Sequence, residues 1–259
     1  MNATLHDKSF IITGGAGGIG LATARALMSR GAQVEIWDHD AGALTAAAVQ
    51  LRCACAVVDV RDAEQVAAAF AQAAARAPID GIIHCAGVLH TGRFEEMPHH
   101  EHLRMAMINL VGTALVAHAA LPYLKATRGS LVLLGSVSAF IASPEFATYA
   151  ATKAGVFSLA QSLRIEMHEA GVHVGIANPL FVSSAMLNER VRQTRGVRSR
   201  SLFIHIYTPE QVAASIISGV ERRRFMIWTG IRPRLIYWLS RYGAWFIQFF
   251  VQYTWEEAK

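Results

Sequence analysis

Seven short apolar segments recur along the chain and alternate with longer, alanine-rich segments of helical spacing. The apolar segments are Phe10–Thr13, Val34–Asp38, Ala56–Asp59, Gly81–Cys85, Leu131–Ser136, Val172–Asn178 and Phe225–Thr229. Continuous apolar strands separated by helices are typical of a parallel sheet that is buried on both faces. The pattern therefore predicts an α/β fold with a doubly wound parallel sheet of about seven strands and helices on both faces.

The alternation weakens after Thr229, where the chain becomes rich in aromatic and basic residues. Within Arg232–Tyr253, Arg234, Arg241 and Gln248 recur every seven residues and leave a broad apolar face, which predicts a C-terminal amphipathic helix. Arg241 inside the run makes a membrane-spanning helix costly. A helix in the plane of a membrane surface and a subunit interface both fit the pattern. We expect residues 1–231 to form the main domain and residues 232–259 a separate tail.

Composition and charge narrow the class of protein. The 259 residues are 53% hydrophobic and 17% charged, enough to bury a large core and incompatible with a disordered chain. The net charge of +5 is concentrated between Arg190 and Arg241, where Glu210 and Glu221 are the only acids. Such a block would suit anionic lipid, an acidic substrate or a solvated surface. Nucleic acid is not expected, because the residues that accompany arginines in known nucleic-acid-binding motifs are missing.

The three cysteines, Cys53, Cys55 and Cys85, are an odd number and follow a polar N-terminal segment. They indicate reduced, buried thiols in a cytoplasmic protein, with membrane association through the tail as the open alternative.

A glycine cluster lies between the first strand and the first helix. It comprises Gly14, Gly15, Gly17, Gly18, Ile19 and Gly20. Glycines at such a turn let backbone amides approach a pyrophosphate, and the following helix adds the positive end of its dipole. This context indicates a Rossmann-type dinucleotide site.

Asp38 ends the second strand, about 20 residues after the glycines, where an acid binds the ribose hydroxyls of NAD. It would repel the 2′-phosphate of NADP, so NAD is expected and NADP is less favoured. The alternative is that Asp38 only caps the next helix.

Tyr149 and Lys153 lie four residues apart at the start of a helical segment, so both face the same side of that helix. An ammonium near a phenol lowers the pKa of the phenol and lets it exchange a proton near neutral pH. Ser136 ends the fifth strand, at the edge of the sheet where ligands bind, and Asn109 lies in the preceding helix.

These motifs together resemble those of the short-chain dehydrogenase/reductase family, classical type. The resemblance spans residues 9 to about 230 and rests on Thr13-Gly-xxx-Gly-Ile-Gly20, Asp59-Val60, Cys85-Ala-Gly87, Asn109, Ser136, Tyr149-xxx-Lys153 and Asn178-Pro179. It implies an oxidoreductase that likewise uses a nicotinamide cofactor. Two positions depart from the family pattern: Cys85 replaces an asparagine before Ala86-Gly87, and Leu180 replaces the glycine usual after Pro179.

The resemblance also implies residue roles. Tyr149 would be the general acid/base, Lys153 would hold the nicotinamide ribose, Ser136 would orient the substrate, and Asn109 would anchor a water that links Lys153 to solvent. Beyond the glycine loop, Asp38, Tyr149 and Lys153, the cofactor would contact Asp59, Val60, Ala86, Gly87, Pro179, Val182 and Ser184.

The substrate end is predicted from the loops that follow the strands. The apolar residues of these loops, with one serine, would line an apolar substrate pocket. The alternative is that they complete the hydrophobic core. The residues are Leu89, Ser138, Phe140, Phe146, Leu180, Phe181 and Met186. No metal is expected, since His99 and His102 are three residues apart and lack a distant partner.

The combined expectation is an NAD-dependent oxidoreductase that interconverts a lipophilic secondary alcohol, of steroid, retinoid or long-chain type, and its ketone or aldehyde. Alternatives are a 3-oxoacyl or sugar-type carbonyl reductase and, from a different class, a non-catalytic nucleotide-sensing module. Expected partners are the small lipophilic substrate, further copies of the chain in a homodimer or homotetramer, and a membrane surface at the tail.

Overall fold

The computed structural model describes residues 4–141, 143–183, 205–245, 249 and 251–252. Its strands are β1 (Ser9–Thr13), β2 (Gln33–Asp38), β3 (Ala54–Val57), β4 (Gly81–His84), β5 (Ser130–Leu134), β6 (His173–Ala177), β7 (Phe181–Val182), β8 (Ile206–Tyr207) and β9 (Met226–Ile227). Seven form one sheet in the order β3-β2-β1-β4-β5-β6-β9, and every pair in it is parallel. The short strands β7 and β8 pair separately.

The helices are α1 (Gly18–Met28), α2 (Ala41–Leu51), α3 (Ala63–Arg76), α4 (His99–Met105), α5 (Gly112–Thr127), α6 (Ala147–Glu166), α7 (Pro209–Glu221) and α8 (Arg232–Tyr242). A π-helical segment, Ala106–Val111, joins α4 to α5, and a 3₁₀ turn, Val137–Ala139, follows β5.

Alternate residues of each central strand face two separate cores, which explains why these strands are apolar throughout. Ile11 of β1 packs on one side with Phe70 of α3 and Val116 of α5. Ile12 packs on the other side with Leu27 of α1 and Ile216 of α7. The predicted doubly wound α/β fold is therefore confirmed, and all seven predicted strand segments contribute a strand.

Each of the seven strands differs from the sequence expectation by one or two residues at one end or both. The third strand begins and ends two residues earlier than predicted, at Ala54 and Val57, and it lies at the edge of the sheet. Its side chains are mostly exposed there, so the expectation of three buried thiols is wrong for Cys55. An edge strand has a neighbour on one side only, which leaves its apolar residues poorly covered.

The continuous stretch of residues 99–127 is, among the described residues, the one helical region long and apolar enough to cross a membrane. Apolar side chains of this region are buried inside the protein. Val116, Ala117, Ala120 and Leu124 all pack in the core beneath the sheet.

The tail differs from the expectation of one helix over Arg232–Tyr253. Helix α8 ends at Tyr242, with Gly243 as its C-cap. The helix also contacts its own subunit, which was not among the expected partners: Pro233 is buried and the Tyr237 ring lies 4.9 Å from that of Phe140. Tyr237 therefore fixes one side of α8 on the body of the protein.

Candidate active site

A cavity of about 460 Å³ opens at the carboxyl edge of the central sheet. It is lined in succession by residues that follow consecutive strands, among them Gly14, Asp38, Asp59, Ala86, Ser136 and Pro179. Parallel strands bring their carboxyl ends to a single edge, so the topology collects in one place residues that are far apart in sequence.

The glycine loop forms one wall of the cavity, and its tight packing explains two of its glycines. A Cβ atom on Gly20 would lie 2.1 Å from the carbonyl oxygen of Gly14, and one on Gly14, where φ is +65°, would lie 2.7 Å from the amide nitrogen of Ala86. Gly15 does not line the cavity, because it packs against Ile36 of β2. Gly14 and Gly20 therefore let α1 begin directly on top of the loop.

The same wall has room for a pyrophosphate. A Cβ on Gly17 or Gly18 would meet no described atom within 4 Å, and both residues face the cavity together with Ile19. The N-cap of α1 is Gly17, which has no side chain to bond the amides of the first turn. Free amides at a helix N-terminus bind phosphate groups, so the residues present fit a dinucleotide.

Asp38 lies at the cavity, and its carboxylate is held by backbone. One oxygen accepts a hydrogen bond from the Ala16 amide at 3.2 Å and the other from the Asp40 amide at 3.2 Å. The cap of α2 is Asp40, which accepts from the amides of Gly42 and Ala43 at 3.0 Å. The alternative that Asp38 only caps the following helix is therefore wrong.

Asp59 and Val60 also line the cavity, together with Arg61. The Arg61 side chain donates to both carboxylate oxygens of Asp59, at 2.9 and 3.0 Å, and this hydrogen bonding lowers the pKa of Asp59. Sequence reasoning missed Arg61, and also His39 and Arg104, which line the cavity as well. Arg61 and His39 follow strands and Arg104 lies in α4, and single charged or polar residues at such positions gave no pattern that could have pointed to them.

Ser136, Tyr149 and Lys153 meet at the other end of the cavity. Ser136 follows β5 and Tyr149 lies in the first turn of α6, where its hydroxyl is hydrogen-bonded to Ser136. Lys153 lies one turn further along α6. Its ammonium donates to the Leu134 carbonyl at 2.8 Å and lies 5.8 Å from the centre of the Tyr149 ring.

Burial dominates the electrostatics of this end. It raises the pKa of Tyr149, against the smaller opposing effect of the Ser136 hydrogen bond, and it lowers the pKa of Lys153 to about 8. The net direction for Tyr149 is opposite to the sequence expectation that the ammonium lowers its pKa. Desolvation disfavours the phenolate more than the described neighbours stabilise it.

Asn109 lies behind the cavity wall, fully buried in the π-helical segment. Its side chain accepts from the Val88 amide at 2.8 Å and donates to the Val88 carbonyl at 2.9 Å. It also approaches Thr152 of α6 at 3.3 Å. A Cβ on Gly87 would lie 3.3 Å from Asn109 Oδ1 and 3.7 Å from Lys153 Nζ. Asn109 therefore connects the loop after β4 to the helix that carries Tyr149 and Lys153.

His84 is a buried link that sequence reasoning missed. Its ring nitrogens lie 2.8 Å from the hydroxyl of Thr13 and 3.0 Å from that of Thr113, and Thr113 donates to the Asn109 carbonyl at 2.5 Å. Burial lowers the pKa of His84 to about 3, so the ring is neutral. The chain of hydrogen bonds ties β1, which precedes the glycine loop, to the segment around Asn109.

Cys85 stands where the family pattern has an asparagine, and it lines the cavity. Burial raises the pKa of its thiol to about 12. The thiol is therefore protonated at neutral pH, where it is a weak nucleophile.

The residues predicted for the substrate end divide into three groups. Leu89 and Leu180 line the cavity beside Val182. Ser138, Phe140, Phe146 and Phe181 are not part of its lining; Phe140 instead packs edge-on against Phe157 at 4.8 Å, and Phe146 is buried ahead of α6. Met186 lies outside the described residues, as does Ser184, which was predicted as a cofactor contact.

No group of three potential metal-ligating side chains occurs in the part of the chain that the structure describes. His102 is instead paired with the Thr148 hydroxyl at 2.6 Å.

The fold and the site together define an oxidoreductase with a nicotinamide dinucleotide site at the edge of its sheet. Comparison with known proteins agrees: the sequence pattern of the short chain dehydrogenase family matches residues 8–195. The chain belongs to this family.

Individual relatives are distant but extend along most of the chain. It is 29% identical to 2-(S)-hydroxypropyl-CoM dehydrogenase 3 of Xanthobacter autotrophicus, covering 84% of this chain and 91% of that protein. It is 27% identical to the 3-oxoacyl-[acyl-carrier-protein] reductase of Chlamydia muridarum, with the same two shares. The solved structure of a short-chain type dehydrogenase/reductase from Mycobacterium ulcerans superposes with a TM-score of 0.79 at 21% identity, covering 87% of this chain and 89% of that one. At this identity the superposition shows the fold alone.

Proposed function

We propose that the protein interconverts a lipophilic secondary alcohol and its ketone or aldehyde with NAD. The observation that carries the proposal is the meeting of Ser136, Tyr149 and Lys153 in the cavity that the glycine loop, Leu89 and Leu180 also line. A proton-exchanging group next to a hydride carrier is what this reaction requires. The two leucines add apolar surface to the cavity lining, which favours an apolar substrate.

The cofactor would be held by the glycine loop at its pyrophosphate, by Asp38 at its ribose and by Lys153 near the nicotinamide. When bound, NAD supplies the chemistry of accepting a hydride from the alcohol carbon or returning one to the carbonyl. The preference for NAD over NADP is supported by the carboxylate of Asp38, which would repel a 2′-phosphate.

The protein's own residues would handle the proton and the substrate oxygen. Ser136 would donate a hydrogen bond to that oxygen and hold it next to the hydroxyl of Tyr149. Tyr149 would give its proton to a forming alkoxide in reduction and take the proton of the alcohol in oxidation. Lys153, buried and bonded to Leu134, would add positive potential near the phenol and help to stabilise the phenolate.

A carbonyl reductase acting on a 3-oxoacyl or sugar-type substrate is the second candidate. The raised pKa of Tyr149 favours it, because a protonated phenol is ready to donate to a carbonyl. One relative is named as a 3-oxoacyl reductase. A nucleotide-sensing module without catalysis is disfavoured, since such a module has no use for the combination of Ser136, Tyr149 and Lys153.

Absorbance at the NADH band tests these candidates. The purified protein is assayed with NAD and NADP on a panel of steroid, retinoid and long-chain alcohols, and in reverse on 3-oxoacyl thioesters and ketoses. We expect the highest kcat/KM with NAD and a hydrophobic alcohol. Equal kcat/KM with NADP would contradict the role of Asp38, and turnover of the thioester or sugar alone would favour the second candidate. No turnover of any compound, with cofactor still bound, would favour the sensing module.

A further inference from the structure

The side of α8 that faces away from the protein is apolar. Ile231, which precedes the helix, is 67% exposed, and Leu235, Trp238, Leu239 and Tyr242 are exposed by 52%, 47%, 50% and 81%. Their spacing of three and four residues places them in one stripe along the helix. Large side chains clustered in this way on a surface mark a site of interaction.

The opposite side of the helix is fixed on the protein itself. Pro233 is buried, and the Tyr237 ring lies 4.9 Å from Phe140 and 5.4 Å from Trp228. Because this contact sets the rotation of α8, the apolar stripe is directed outwards rather than towards the described core.

Arginines border the stripe on both sides. By helical spacing, Arg234 and Arg241 lie along one border, next to Trp238, and Arg232 lies along the other, two turns before Leu239. All three are exposed. The sequence has no Asp or Glu between Glu221 and Glu256, so this surface combines an apolar centre with a positive rim.

These charges decide between the two occupants that fit an apolar helix face. Pairing α8 with the same helix of a second copy would bring arginine rims together with no acid of the segment to neutralise them, which costs affinity. A bilayer with anionic headgroups suits both the apolar stripe and the arginine rim. The aromatic and leucine side chains would enter the boundary of the acyl chains, and the arginines would pair with lipid phosphates.

We propose that α8 is a docking helix for the surface of an anionic lipid bilayer. Docking would also orient the catalytic end, because Phe140, on which Tyr237 packs, follows the substrate-positioning Ser136 by four residues. The cavity would then lie close to the membrane that dissolves an apolar substrate. The docking itself does not depend on the proposed reaction.

Vesicle flotation with the full chain tests the proposal. The vesicles contain phosphatidylcholine alone or phosphatidylcholine mixed with phosphatidylglycerol, at low and high salt. We expect flotation with the mixed vesicles, weakened by salt, and little with phosphatidylcholine alone. Equal flotation with both vesicle types, or none with either, would overturn the proposal.

Three double variants separate the parts of the surface. Trp238→Ser with Leu239→Ser should abolish flotation, and Arg234→Gln with Arg241→Gln should weaken it about fivefold for each arginine removed. The control is Val49→Ser with Ile165→Ser, two apolar residues on other helices that are more exposed than Trp238 and Leu239; this variant should float like the unmodified chain. Thermal unfolding verifies that each variant is folded.

Size-exclusion mass distinguishes the other occupant. If the Trp238/Leu239 variant has a smaller mass than the unmodified chain and neither protein floats, α8 is a subunit interface and the proposal is wrong. NADH turnover of a water-soluble substrate, if the proposed reaction is correct, should be the same in all variants, so failure of the reaction and failure of the docking are read separately.

Discussion

Two effects act on the Tyr149 hydroxyl in opposite directions: burial disfavours the phenolate, and the hydrogen bond with Ser136 stabilises it. Burial prevails, so the protein alone keeps the phenol protonated at neutral pH. Lys153 is close enough to act on the ring, yet its own pKa is lowered to about 8 by the same burial. The pair is therefore poised to donate a proton more readily than to accept one.

Replacing Tyr149 by Phe removes the transferable proton and almost nothing else. We expect kcat to fall by about 10²–10⁴-fold, the usual worth of a general acid or base, while cofactor binding measured by fluorescence titration stays nearly the same. Phe146→Tyr, a buried aromatic change near the same helix, is the control for the site's tolerance of ring substitution. A Tyr149→Phe enzyme that retained more than about a tenth of the activity would refute the assignment.

The raised pKa of Tyr149 sets a direction for the pH dependence. Oxidation of an alcohol needs the phenolate, whose fraction increases as pH rises towards the pKa, so kcat/KM for oxidation should climb through the alkaline range. Reduction needs the protonated phenol and should stay level at neutral pH, then decline above the pKa. Initial rates in both directions from about pH 6 to about pH 11 extend past the ordinary phenol pKa of about 10. An oxidation rate that is already level at neutral pH would show that the pKa is lowered instead.

At the scale of elements, the glycine loop depends on how closely α1 approaches it. The position of Gly20 allows no side chain, since a Cβ would lie 2.1 Å from a backbone oxygen of the same loop. The backbone can make room only if the helix moves, and that movement would displace the amides that are predicted to bind a pyrophosphate. The shape of the glycine loop and the affinity for the cofactor therefore both depend on the position of α1.

Gly20→Ala should destabilise the protein by about 1–3 kcal/mol, as overpacking does, and should weaken cofactor binding by more than the loss of stability alone explains. The matched control is Gly42→Ala in α2, where a Cβ would lie at an ordinary 3.5 Å from Asp40. It should be neutral or stabilising by up to about 1 kcal/mol, because alanine favours helix. Thermal unfolding and cofactor titration measure both effects, and equal behaviour of the two variants would show that Gly20 is not needed for the loop.

At the scale of the whole molecule, the central sheet is complete at β9, and α8 is added to its outside. Helix α8 follows the last strand of the sheet, and none of its described residues lines the cavity. Among the described residues, α8 packs on the body of the protein through Tyr237, which contacts Phe140 and Trp228, and through the buried Pro233. We therefore retain the division at residue 231 as a proposal.

A chain that ends at Gly230 should still bind the cofactor, because all the described residues that line the cavity precede Gly230. It should unfold at a lower temperature, since Phe140 and Trp228 lose the Tyr237 ring that covers them. Cofactor titration and thermal unfolding of the two chain lengths are the measurements. Loss of cofactor binding in a folded short chain would mean that the tail belongs to the catalytic domain.

Local sequence patterns were enough to predict much of the fold. Apolar segments alternating with helical spacing determined the seven strands and the doubly wound class, because burial on both faces of a parallel sheet leaves no other pattern available. Glycines between a strand and a helix, and Tyr149 four residues before Lys153, marked the two ends of the site, since each depends on short-range geometry.

What only the tertiary structure decided depends on distant residues and on the surroundings of each group. The direction of the Tyr149 pKa follows from burial by many segments, which no spacing reveals. His84 is hydrogen-bonded to Thr13 and Thr113, which are 71 and 29 positions away in the sequence. Phe140 does not line the cavity as expected, because its ring packs against Tyr237, almost a hundred residues further along the chain. Sequence determined which side chains reach the edge of the sheet; packing decided how each one is hydrogen-bonded, charged and covered, because those properties belong to the assembled surroundings and not to the chain.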